Sequence, residues 1–225
     1  MFNLWPLVQA EWKLALRQNW ANRGWVPLVI ILTLLGYIVP RYAGGRFLDA
    51  TIVFIFGVLA SRFTAPSASE TFRSPDLKSA PLPVKVLSSA LFGWIAGLAL
   101  LSFGLLCLNL TRQSEQVLLP PAYLVGSAAL ISLLLCVNTA AISGIVSLRR
   151  SPQAAFRLIR AVTTLAFLGL IISARLRPQQ WRAGVAAAST RQGVAQLVMF
   201  VVPSLALLGS ILLRQLRAVY SIGQK

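Results

Sequence analysis

AYLVGSAALISLLLCVNTAAISGIV, residues 122–146, contains no charged side chain and stops just before Arg149 and Arg150. A helix needs about 20 apolar residues to cross a ~30 Å hydrocarbon core, so this stretch can span a bilayer with length left for tilt. Comparable runs at about 25–40, 50–66, 86–110 and 194–213 predict four more spans. Trp20, Trp25, Tyr37 and Tyr42 flank the first as an aromatic belt would. Arg62 is expected near one end of the second, where its long stem lets it snorkel. The run at 161–174 covers only ~21 Å at 1.5 Å per residue. It becomes a sixth span, 156–174, if it starts near Phe156 with Arg157 and Arg160 snorkelling; otherwise it is a broken or re-entrant helix. The whole chain is 57% hydrophobic with a mean hydropathy of +0.74, which describes one membrane domain over residues 1–225 rather than a soluble fold.

Residues 1–24 read differently. Leu4, Leu7, Val8, Trp12, Ala15 and Leu16 recur at helical spacing, with Glu11, Lys13 and Arg17 between them. This pattern predicts an amphipathic helix, lying at the membrane interface or packed on the bundle; its junction with the first span favours the interface. The expected fold is therefore an all-α polytopic membrane protein: an N-terminal interfacial helix, then six transmembrane helices. With both termini cytosolic, the inner segments carry most of the basic residues, as the positive-inside rule requires. The exception is the outer stretch after the fifth span, which holds Arg175, Arg177, Arg182 and Arg191.

The charge balance is 21 basic against 5 acidic residues, a net +16. The basic residues stand at span ends, facing anionic headgroups, rather than on one groove-lining face, so lipid and not nucleic acid is the expected partner. With no histidine in the chain, His-based triads, His-metal sites and imidazole relays are excluded. Glu11, Asp49, Glu70, Asp76 and Glu115 are too scattered in sequence for a metal cluster, and no phosphate-binding loop is present. Cys107 and Cys136 sit in apolar runs, where cysteine acts as a small hydrophobe. The reading is of a protein without catalytic residues, metal ligands or cofactor of its own. The spans place no acid or histidine relay in the bilayer, which disfavours proton coupling and suits an amphipathic or lipid-like cargo. Asn109 and Asn138 are their main uncharged polar residues, and Pro203 can kink the last one. Gly93 and Gly97 on the third span, and Ala140 and Gly144 on the fourth, are small-xxx-small pairs for close helix packing, within one subunit or across a dimer.

The largest inner connection, residues 67–85, reads SASETFRSPDLKSAPLPVK. Pro75, Pro81 and Pro83 bar a continuous helix, so a short helix around 67–73 should be followed by a turn and a rigid lead into the third span. This layout resembles the ABC-2 type transporter permeases. In that family the connection runs from a Glu through a Gly-Thr pair to Thr-Pro-Leu. Here Glu70 and Pro81 keep the separation, Ala80-Pro81-Leu82 stands for the closing triplet, and Phe72-Arg73 replaces the Gly-Thr. SLRRSPQAAF at 147–156 and VQAEWKLALRQNW at 8–20 are similar to the family's post-fourth-span stretch and its N-terminal helix.

The resemblance implies a permease that dimerises with a second, identical or related, subunit and is driven by separate cytosolic P-loop ATPase subunits. Glu70, Arg73, Lys78 and Pro81 would contact the ATPase, with Glu11 and Arg17 in support. It also implies residence in the plasma (inner) membrane of a bacterium. The competing reading is a non-transporting scaffold or assembly subunit of a larger membrane complex.

Overall fold

The computed structural model describes residues 60–69, 71–72, 81–111, 122–177 and 190–222, with isolated positions at 9, 12–13, 57, 179–180, 183–184 and 187. Among them the chain is helical throughout, without a strand. We number the helices α1 (residues 60–69 and 71), α2 (Leu82–Thr111), α3 (Ala122–Arg149), α4 (Pro152–Leu176) and α5 (Arg191–Ile222). Leu82–Ala99 of α2, Ala122–Arg149 and Arg191–Ser221 are long and apolar enough to cross a membrane, which marks the chain as a membrane protein.

Local chemistry sets the helix starts. The Pro81 carbonyl accepts from Val84 N (3.0 Å) and Lys85 N (3.2 Å), and Pro83 falls in the first turn, where its missing N–H leaves no bond unmade. Ser151 caps α4: its Oγ accepts from Ala154 N at 3.1 Å and its carbonyl from Ala155 N at 3.2 Å, with Pro152 next in line. Thr190 does the same for α5, accepting from Gly193 N through Oγ1 (3.0 Å) and from Val194 N through its carbonyl (2.9 Å). Helices α2 to α5 are each longer than the apolar run that predicts them, because caps rather than hydropathy end a helix. The fifth candidate, expected at 156–174, is an unbroken 25-residue helix of ~37 Å. Pro203 lies inside α5 without ending it.

The bundle is organised around α3, which packs against α2, α4 and α5. Its packed face is made mostly of small residues: Ala128, Ser132, Cys136, Ala140, Ala141, Ser143, Gly144 and Ser147 are all buried, beside the larger Leu124, Ile131, Asn138 and Thr139. In lipid there is no water to expel from between helices, so close van der Waals contact, which small residues permit, holds them together. Helix α1 lies in the same core. Ala60 clusters with Ala90, Ala128 and Cys136, and Ala68 and Phe72 with Val86, Ala140, Ala141 and Leu216.

One expectation changes, and two further parts of the sequence are placed on the bundle. Residues 67–69, 71 and 72, assigned from sequence to a charged connection, do form the expected short helix, but it continues α1 and is buried against the bundle. Arg62 belongs to the part of α1 that meets α4. It lies ~15 Å before Phe72 along the helix and bonds to Thr163 and Thr164, ~16 Å from the start of α4 and ~20 Å from its end. The N-terminal segment is described only at Gln9, Trp12 and Lys13, all helical; Trp12 sets its ring against Phe92 of α2, centroids 5.9 Å apart, so this point of the segment packs on the bundle. The first predicted span, 25–40, lies outside the described residues.

Candidate functional site

The end of the bundle where α1 stops and α2 begins brings together three distant parts of the sequence. Phe72 from α1, Val86 from α2 and Leu216 from α5 close over Ala140, Ala141 and Gly144 of α3. A Cβ on Gly144 would come within 2.8 Å of the Phe72 ring and 3.0 Å of Leu216 Cδ1, so the glycine is what lets both side chains reach α3. Beside this plug, Lys85 is 1% exposed, the largest fully buried side chain among the described residues. Its Nζ donates to the Tyr220 hydroxyl at 3.0 Å and stands 5.0 Å from the centre of the Tyr220 ring. One lysine thus joins α2 to the last turns of α5 by a charge-assisted hydrogen bond with a cation–π contact.

The residues singled out from the sequence fall into three groups. Pro81 is exposed at the mouth of this site and starts α2. Glu70, Arg73, Lys78, Glu11 and Arg17 lie outside the described residues, although Thr71 and Phe72 fix where the 67–85 connection leaves the core. Gly93, Gly97, Ala140 and Gly144 are all consumed by packing within one chain. A Cβ on Gly93 would overlap Thr64 and sit 2.6 Å from the Ala60 carbonyl, and one on Gly97 would sit 2.9 Å from Ala60 Cα. Ala140 is fully buried. These contacts are all between helices of the one chain.

Sequence reasoning missed Lys85 and Tyr220 as a pair. Nothing in PLPVKV or RAVYSI announces it, because the contact joins residues 135 positions apart. It also missed a second polar contact inside the bundle, where Asn138 donates through Nδ2 to the Leu205 carbonyl at 3.1 Å, one turn before Gly209. A Cβ on Gly209 would stand 3.0 Å from Asn138 Oδ1, so Asn and Gly form a matched pair between α3 and α5.

Comparisons of the chain with protein-family models, with curated proteins and with solved structures found no match. Among the described residues no group of His, Cys, Asp or Glu could hold a metal ion. Where the described part of α1 ends, one buried cluster joins α1, α2, α3 and α5.

Proposed function

We propose that the chain is the membrane-spanning permease subunit of an ABC-2 type, ATP-driven transporter, exporting an amphipathic or lipid-like cargo. In this reading it has six transmembrane helices, an N-terminal amphipathic helix and both termini in the cytosol of a bacterial cell, and it pairs with a second permease subunit and with cytosolic ATPases. The observation that carries the reading is the burial of the 67–72 helix end with Lys85 and Leu216. A connection that merely looped through water would leave the helices unmoved when a partner pushed it, whereas this one is built into the core.

The resemblance in layout supplies the partner class, and the buried plug supplies a route from that partner to the spans. Export of a lipid-like molecule fits spans with few ionisable groups and broad apolar outer faces on α4 and α5. Purification of the tagged protein from its native membrane in mild detergent tests the proposal. A P-loop ATPase at near-equal amount is expected, reduced by Glu70→Ala with Arg73→Ala. Recovery of other membrane proteins alone would move the reading to a scaffold or assembly subunit.

A further inference from the structure

The hydrogen bonds that tie α1 to α4 lie deep in the bundle. Arg62 is half-buried, with Nε donating to Thr163 Oγ1 at 3.4 Å and Nη2 to Thr164 Oγ1 at 3.2 Å. On α1 it is preceded by Ala60, which clusters with Ala128 and Cys136, and followed by Ala68, which clusters with Ala140 and Ala141. These partners occupy the middle of Ala122–Arg149, a helix long and apolar enough to cross the membrane. Thr164 is itself ~18 Å from either end of α4. A guanidinium and two hydroxyls therefore stand near mid-depth in the membrane-crossing part of the protein. Gln153, Arg157, Arg160 and Thr164 follow one another along α4 at steps of four, three and four, which places them on one face, and all four are exposed. Ala155 and Ile159, both buried, form the edge of α4 that packs inward. Leu158, Val162, Leu165 and Ile172 lie beyond that edge, exposed and turned away from Arg62.

Two stripes of opposite character thus run along α4, both of them exposed. The apolar one is at home against acyl chains. The polar one is not: glutamine, arginine and threonine side chains are costly in hydrocarbon, and on spanning helices such groups face the bundle interior or a water-filled cavity. This stripe is exposed rather than packed in the interior, which leaves water as its neighbour. We infer that Gln153, Arg157, Arg160 and Thr164 of α4, with Arg62 of α1 at the inner end, line a water-filled groove that runs from the turn between α3 and α4 to the middle of the bilayer. The next residues at that spacing, Phe167 and Ile171, are apolar, so the wet face ends there. In the reading as an exporter, the groove gives the polar end of an amphipathic cargo a wet path through half the membrane. The groove itself rests only on the chain's crossing the membrane, so it stands or falls apart from that reading.

Cysteine scanning of the full chain in lipid nanodiscs, with the native cysteines replaced, tests the groove. Nanodiscs leave both faces of the bilayer open to a charged, membrane-impermeant thiosulfonate, which reacts with a thiolate that water can reach. Gln153→Cys, Arg160→Cys and Thr164→Cys should react at least ~10-fold faster than Val162→Cys and Leu165→Cys, since a thiol whose pKa rises by about one unit on leaving water loses that factor of thiolate. Thr164 and Leu165 are neighbours in sequence and share one depth, so the comparison between them reads the face of the helix and not the distance from the surface. Thr164→Cys is a small change at an exposed position, and it keeps the fold even if substitution of Arg62 does not. Reaction at Thr164→Cys as slow as at Leu165→Cys would overturn the groove; the arginines would then reach the surface by snorkelling, or a second copy would cover the stripe. Equally fast reaction at all five positions would place α4 outside the hydrocarbon and overturn the groove as well.

Discussion

Helices α3 and α5 are comparable in length and their most apolar 18-residue stretches have the same mean hydropathy, yet 50% of that stretch is buried inside the bundle in α3 against 6% in α5. Hydropathy alone therefore says that each can enter the membrane and nothing about which one the protein is built around. The difference lies in side-chain size. The α3 face turned inward carries Ala, Ser, Cys and Gly, while α5 presents Met199, Phe200, Leu207, Leu208 and Ile211 outward and touches the core mainly through Leu216, Gly209 and Val194. Small residues gain by letting backbones approach; large apolar ones lose nothing by facing lipid, which is as apolar as they are.

The contrast can be broken most forcefully at the closest helix approach. Gly93→Val would drive α2 off the α1 backbone, and the expected loss is ~3 kcal/mol or more, at the upper end of overpacking costs, read as loss of the folded protein in detergent melts. The same change at Gly169, whose Cβ would meet nothing within 4 Å, should leave the melt unchanged. Phe72→Ala opens a void between Gly144 and Leu216; since no transfer from water is involved, ~2 kcal/mol is expected, less than in a soluble core.

Smaller effects sharpen the comparison. In a double-mutant cycle of Lys85→Met and Tyr220→Phe, a coupling of ~1–2 kcal/mol is expected for the charge-assisted bond, and additive changes would remove Lys85 as the tie between α2 and α5. Ser143→Ala should be neutral or slightly stabilising, within ~0.5 kcal/mol, because the buried hydroxyl has no partner among the described residues and serves by being small. Phe200→Leu, on the outer face of α5, should fall within the same ~0.5 kcal/mol.

Much of the helical plan was legible. The apolar runs coincide with α2 to α5, and the small-xxx-small pairs fall at close contacts between helices. Ser151-Pro152 and Thr190 could also have been read as helix starts, since a hydroxyl before the first turn is a local signal. The site was less legible for a definite reason. Lys85 meets Tyr220, and Arg62 meets Thr163 and Thr164, across more than 100 residues of chain, and no spacing rule encodes a contact between separate helices. Pro66 does not end α1, which continues past it through residue 69; a proline within an apolar helix is tolerated when neighbouring helices hold it.

Nitroxide accessibility measures the division between glued and lipid-facing helices most directly. With the native cysteines replaced, single labels at Phe200 and Leu207 on α5 and at Ala140 and Ser143 on α3 would be compared in liposomes for collision with oxygen, which partitions into lipid, and with a water-soluble nickel chelate. High oxygen and low nickel collision at the α5 positions, with both low at the α3 positions, is the predicted result. Nickel collision at Phe200 equal to that at exposed Arg217, or free oxygen access at Ala140, would contradict the arrangement of the bundle in the membrane.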